Sequence, residues 1–96
     1  MKLRESVQWF AEQMEAKLRE NEDKGGWDGE SEDYFLRRAR EELKELDAAI
    51  TKFWDESQNP ESRLGDFTPK QEIVREAADV ANFLMMLAWR FRKVSL

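Results

Sequence analysis

The stretch Glu72-Ile73-Val74-Arg75-Glu76-Ala77-Ala78-Asp79-Val80-Ala81-Asn82-Phe83-Leu84-Met85-Met86-Leu87 decides the fold. Its apolar residues recur every three or four positions, the period of an α-helix. Ile73, Val80, Leu84, Leu87 and Phe91 share one face, and Val74, Ala78, Ala81, Met85 and Ala88 share a second about 100° away. A helix that is apolar on two sides needs two partners. The same stretch holds an ionisable Asp79 and an amide Asn82, and burying either without a partner costs several kcal/mol. Glu72, Glu76 and Asp79 fall within about 60° of one another, with Asn82 at the edge of this carboxylate stripe. Like charges stacked in this way repel, and a divalent cation is the simplest relief.

Just upstream, Thr68-Pro69-Lys70-Gln71 has threonine at the N-cap, proline at N1 and glutamine at N3, a capping box that starts this helix. The helix is expected to run to about Lys93. Ser57 to Phe67 holds Asn59-Pro60 and Gly65-Asp66, lacks periodicity and reads as a connecting loop. Before it, Ser31 can cap a helix running to about Trp54, with Glu32 and Asp33 at the positive end of the dipole. Glu42 lies beside the apolar stripe Phe35, Ala39, Leu46 and Phe53 of that helix, and Glu45 is three residues further along the same face. A first amphipathic helix spans about Leu3 to Asn21 through Leu3, Val7, Phe10, Met14 and Leu18, and glycines 25, 26 and 29 open a polar loop after it. The expected fold is all-α: a single domain, 1-96, whose three main helices form a bundle completed by dimerisation, the small Ala residues of the last helix favouring close approach of a second subunit.

Composition narrows the chemistry. A chain of 96 residues that is 39% charged and 41% hydrophobic with two prolines suits charged amphipathic helices. A net charge of −5, with basic residues interleaved among acids, argues against nucleic acid as the main partner. The absence of cysteine and histidine removes thiolate and imidazole ligands, so a bound metal should be hard and oxygen-liganded, Mg²⁺ or Mn²⁺. It also argues against a di-iron carboxylate bundle, which uses a Glu-x-x-His motif. The apolar run from Val80 to Trp89 is shorter than the ~20 residues of a membrane span, and Met1-Lys2-Leu3-Arg4-Glu5 leads into no signal-peptide core, so no membrane partner and a cytoplasmic location are expected.

Glu42-x-x-Glu45 on one helix and Glu76-x-x-Asp79 on the next, with Lys24-Gly25-Gly26-Trp27 ahead and Ala78-Asp79-Val80-Ala81-Asn82-Phe83 around the second pair, resemble the small single-domain members of the MazG-like all-α nucleoside triphosphate pyrophosphohydrolases. The likeness runs from about Asn21 to Arg90. It implies Mg²⁺-dependent hydrolysis of a nucleoside triphosphate to the monophosphate and pyrophosphate by a homodimer or dimer of dimers. Glu42, Glu45, Glu76 and Asp79 would hold metal, and Glu41 or Glu45 would orient the attacking water. Lys24 would meet phosphate and Trp27 would offer an aromatic plane, unless the loop is a flexible turn with Trp27 tucked into the core; Asn82 would bond the sugar or a liganding acid, or else fix helix register in the bundle. Asn21 stands where relatives often have histidine, which leaves the base open. Glu72 reads either as a supporting group for the site or as ordinary N-terminal helix charge; Arg90 either touches phosphate or is a solvated arginine.

A different class of reading sits beside this one: a non-enzymatic dimeric helical interaction module, whose acids form a solvated face paired internally as Arg38 with Glu42 and Arg75 with Asp79.

Overall fold

The structure, a computed structural model, describes residues 1–57, 67–92 and 94. Three α-helices dominate it: α1 (Glu5–Glu20), α2 (Glu32–Ser57) and α3 (Pro69–Phe91), with a 3₁₀ turn Glu22–Lys24 after α1. Among the described residues there is no strand. The helix starts follow from local chemistry. Ser31 Oγ accepts the Tyr34 N–H at 3.1 Å to open α2. The reciprocal box of Thr68 and Gln71 opens α3: Thr68 Oγ1 accepts the Gln71 N–H at 3.1 Å, and Gln71 Oε1 accepts the Thr68 N–H at 2.9 Å. The 3₁₀ turn is closed by Gly25 at φ 93°, a backbone conformation that costs a glycine nothing and strains any side chain with a Cβ. The connection expected from Ser57 to Phe67 falls, over 58–66, outside the described residues, and α2 continues three residues past Trp54 to Ser57.

α3 is the shared element. It lies against α2 along most of its length and against α1 over a shorter stretch, while among the described residues the backbones of α1 and α2 do not come close to each other. This explains where the core sits. Phe35, Ala39, Ala49, Ala78 and Met86 are its buried apolar residues, all from α2 and α3. α1 buries no residue completely. Phe10, Met14 and Leu18 reach partial burial, whereas Leu3 and Val7, at the start of the same apolar face, stay exposed. The two-sided apolar pattern of α3 is therefore met partly within the chain. Ala78, on the face expected to await a second subunit, is fully buried, and Val74, Ala81 and Met85 beside it are half-buried. No helix of the described residues is long and apolar enough to cross a membrane.

Candidate metal centre

The buried stripe of α2 contains an acid. Phe35, Ala39, Glu42 and Ala49 occupy inward positions, with the half-buried Leu46 between the last two, and Glu42 is only 7% exposed. Arg38, one turn earlier, donates to Glu42 Oε1 at 2.9 Å and also bonds Glu41. α3 brings Glu76 opposite. One carboxylate oxygen from each of Glu42, Glu45 and Glu76 lies within 4.8 Å of the other two, a grouping from two helices that could hold a hard cation.

These acids are electrostatically frustrated. Burial raises the Glu42 carboxyl to about 7, reinforced by the hydrogen bond and charge of Glu45 and by the charge of Asp79, with Arg38 opposing. Glu76 is raised by burial and then by the charges of Asp79 and Glu45. Glu76 Oε2 is buried with no hydrogen-bond partner. An orphaned carboxylate oxygen facing two further acids is costly unless a proton or a cation satisfies it. The donor set is all carboxylate oxygen, so it fits Mg²⁺ or Mn²⁺ and no soft metal.

Asp79 stands apart from this trio. Its carboxyl is raised by burial, and the effect is opposed by Lys17 of α1, whose Nζ sits 3.4 Å from Asp79 Oδ2. The helical pairing of Arg75 with Asp79 gives way to a contact between helices: Arg75 donates two 2.8 Å hydrogen bonds to Glu20 and lies over the Phe67 ring at 4.0 Å. Asn82, 4% exposed, donates to the Met14 carbonyl at 3.1 Å and leaves its Oδ1 buried without a partner.

The acids open into a cleft of about 680 Å³ lined from all three helices and the loop after α1. Glu42, Glu45, Asp79, Asn82, Lys24 and Trp27 all line it. Trp27 meets the buried Phe35 ring edge-on at 5.8 Å, so the same indole both anchors the glycine loop and forms cleft wall. Glu76 belongs to the acid trio but does not itself line the cleft. Three expected residues lie elsewhere. Glu41 is exposed, bound to Arg38, and does not line the cleft. Glu72 pairs with Lys52 of α2 at 3.7 Å. Arg90 donates to the Asp28 carbonyl at 3.1 Å and lies over Phe35 at 5.1 Å, securing the loop at the far end of α3.

The cleft also contains groups that the spacing of acids did not single out: Lys17, Tyr34, Arg38 and Phe83. Tyr34 meets Phe83 edge-on at 6.4 Å, and Arg38 lies over the Phe83 ring at 5.1 Å, so its guanidinium is held by an aromatic face as well as by acids. Lys17 had a signal. It follows Met14 by one turn on the rim of the apolar face of α1, where a lysine stem is covered and its ammonium must find a partner. No family model, curated protein or solved structure matches the chain.

Proposed function

We propose that the protein is a Mg²⁺-dependent nucleoside triphosphate pyrophosphohydrolase of the MazG-like kind, acting on an NTP or dNTP in the cytoplasm. One observation carries the reading: three carboxylates from two helices converge within 4.8 Å, one of them keeps a buried, unpartnered oxygen, and the other two line a cleft that lysine, arginine and aromatic rings line as well. Acids and cations lining one cleft suit a polyphosphate that arrives with its counter-ions.

Glu42, Glu45, Glu76 and Asp79 are the metal-holding residues of this proposal. Bound Mg²⁺ or Mn²⁺ would screen the phosphate charge and acidify a nearby water. Lys24, which lines the cleft, supplies a cation for phosphate, and Trp27 with Tyr34 supplies aromatic wall for a base. Glu45 is solvent-accessible within the cleft and takes the proton of the attacking water, a role for which Glu41 is badly placed. A new oxygen–phosphorus bond forms as the α,β-anhydride bond breaks, and pyrophosphate leaves. The test is a panel of common and modified nucleoside triphosphates with Mg²⁺, with pyrophosphate and orthophosphate measured separately. Pyrophosphate with the matching monophosphate supports the proposal, and silence across the panel contradicts it.

Assembly is part of the proposal. Leu36, Leu43, Ile50 and Trp54 are exposed on α2, the first three spaced by seven residues, which keeps them on one side of the helix. On an ideal helix this row lies about 60–100° to one side of the buried stripe, and Arg38 and Glu45 lie about 60–80° to the other. A second subunit on that row completes the bundle and leaves the acids open to the cleft, giving a homodimer or a dimer of dimers.

A further inference from the structure

Asp79 has a counter-ion from a different helix. Arg75, four residues earlier on α3, is committed to Glu20, so the cation that meets Asp79 is Lys17 of α1 at 3.4 Å, with side-chain exposures of 14% and 20%. α1 is held to α3 on both sides of Lys17. One turn before it, the Met14 carbonyl accepts from Asn82 Nδ2, and one turn after it, Glu20 is clamped by Arg75. The Lys17 ammonium is thus delivered to the acid cluster by a fixed strut. One unsatisfied atom of the cleft points to a ligand, the Oδ1 of Asn82, a residue 96% buried that lines it; Glu76 Oε2 of the acid trio is likewise buried without a partner.

We propose that Lys17 is a resident stand-in cation: it holds Asp79 until a divalent metal takes that carboxylate, and the released ammonium then pairs with the phosphate chain of the ligand that enters the cleft. This rests on the acid cluster being a metal centre. The logic is competitive. Asp79 cannot give its full charge to a metal while it shares that charge with Lys17, so the lysine lowers metal affinity in the absence of substrate. Once displaced, the ammonium remains in a cleft also lined by Lys24 and Arg38, where an anionic ligand is its natural partner. Metal and polyphosphate are thereby favoured together over metal alone.

The two effects have opposite signs, which a merely structural lysine would not produce. Calorimetric titration of the full chain with Mn²⁺ alone should show Lys17→Met and Lys17→Gln binding the metal about three- to tenfold more tightly than the parent, as expected on removing a partly buried competing pair. The same variants should bind inorganic tripolyphosphate, supplied as its Mn²⁺ complex, about tenfold more weakly, and Lys17→Arg should restore much of that binding. In the parent, where folding is not in question, the side-chain ¹³Cε resonance of Lys17 should shift on saturation with Mg²⁺ and again on adding the Mg²⁺–tripolyphosphate complex. Unchanged or weaker Mn²⁺ affinity in both variants, unchanged tripolyphosphate binding, or a Lys17 resonance indifferent to Mg²⁺ would overturn the proposal. A parent that binds no Mn²⁺ at all would instead remove the metal centre on which it stands.

Discussion

The guanidinium of Arg75 grips the carboxylate of Glu20 through two hydrogen bonds of 2.8 Å, joining the second turn of α3 to the last turn of α1. The hydrogen bond from Arg75 is the largest influence on Glu20 and holds its carboxyl below the usual range. Because α1 buries no residue completely, such polar ties matter more to its docking than they would in a large core. Arg75→Ala should destabilise the chain by about 1 kcal/mol, losing the fork and the stacking on Phe67 together. Arg75→Lys should recover little, since a lysine cannot reproduce the planar fork. Urea midpoints of the three proteins check this.

The metal-free protein should grow less stable as pH rises from about 4.5 to about 7. Glu42 has its folded carboxyl raised to about 7, so in that window the folded state binds more protons than the unfolded state, and the slope of stability against pH is negative. Glu76 and Asp79 are raised in the same direction. With a chelator present, denaturation at about pH 5 and about pH 8 should differ by on the order of 1–3 kcal/mol in favour of the lower pH. Added Mg²⁺ should flatten the slope, because a bound cation replaces the proton.

Glu45→Gln and Glu76→Gln should lower pyrophosphate release by orders of magnitude, because each keeps its shape and loses the charge that a hard cation needs. Neither should unfold the chain, and Glu76→Gln should stabilise the metal-free form by relieving repulsion. Glu12→Gln, on the exposed side of α1, controls for loss of one charge. Circular dichroism and a coupled pyrophosphate assay read the two properties side by side.

Association should depend on the outer row of α2. Sedimentation at micromolar concentration should give at least a dimer, and replacing Leu43, which is 54% exposed, by lysine should shift the population to monomer while helicity is kept. A parent sedimenting as a monomer would leave Leu36, Leu43, Ile50 and Trp54 without a function.

Much of this molecule was legible along each helix, and less was legible between helices. The capping box at Thr68, the Ser31 cap and the inward stripe of Phe35 and Ala39 follow from local chemistry and a 3.6-residue period, and all three form as expected. Of the four acids in the expected pattern, Glu42, Glu45 and Glu76 converge, Glu42 carried inward beside the apolar stripe while Glu45 stays exposed. Periodicity gives an angle around one axis, however, and says nothing of which neighbour stands at a given height. Glu72 shares the angle of Glu76 yet sits a turn lower, where Lys52 meets it. Arg90 shares that angle too and is drawn to Asp28 at the other end. Lys17 with Asp79 and Arg75 with Glu20 depend on how α1 crosses α3, which no spacing within either helix encodes.

The central claim is that Glu42, Glu45 and Glu76, with Asp79, form a site for a divalent cation, and thermal unfolding in Mg²⁺ tests it most directly. A cation that binds only the folded chain stabilises it by RT ln(1 + [L]/Kd), about 1.4 kcal/mol at a tenfold excess over Kd, or about 6 °C or more in Tm for a domain of this size. The parent should show that rise with Mg²⁺ or Mn²⁺ over K⁺ at matched ionic strength, and Glu76→Gln should lose most of it. Equal melting temperatures in Mg²⁺ and K⁺ for the parent would contradict the account.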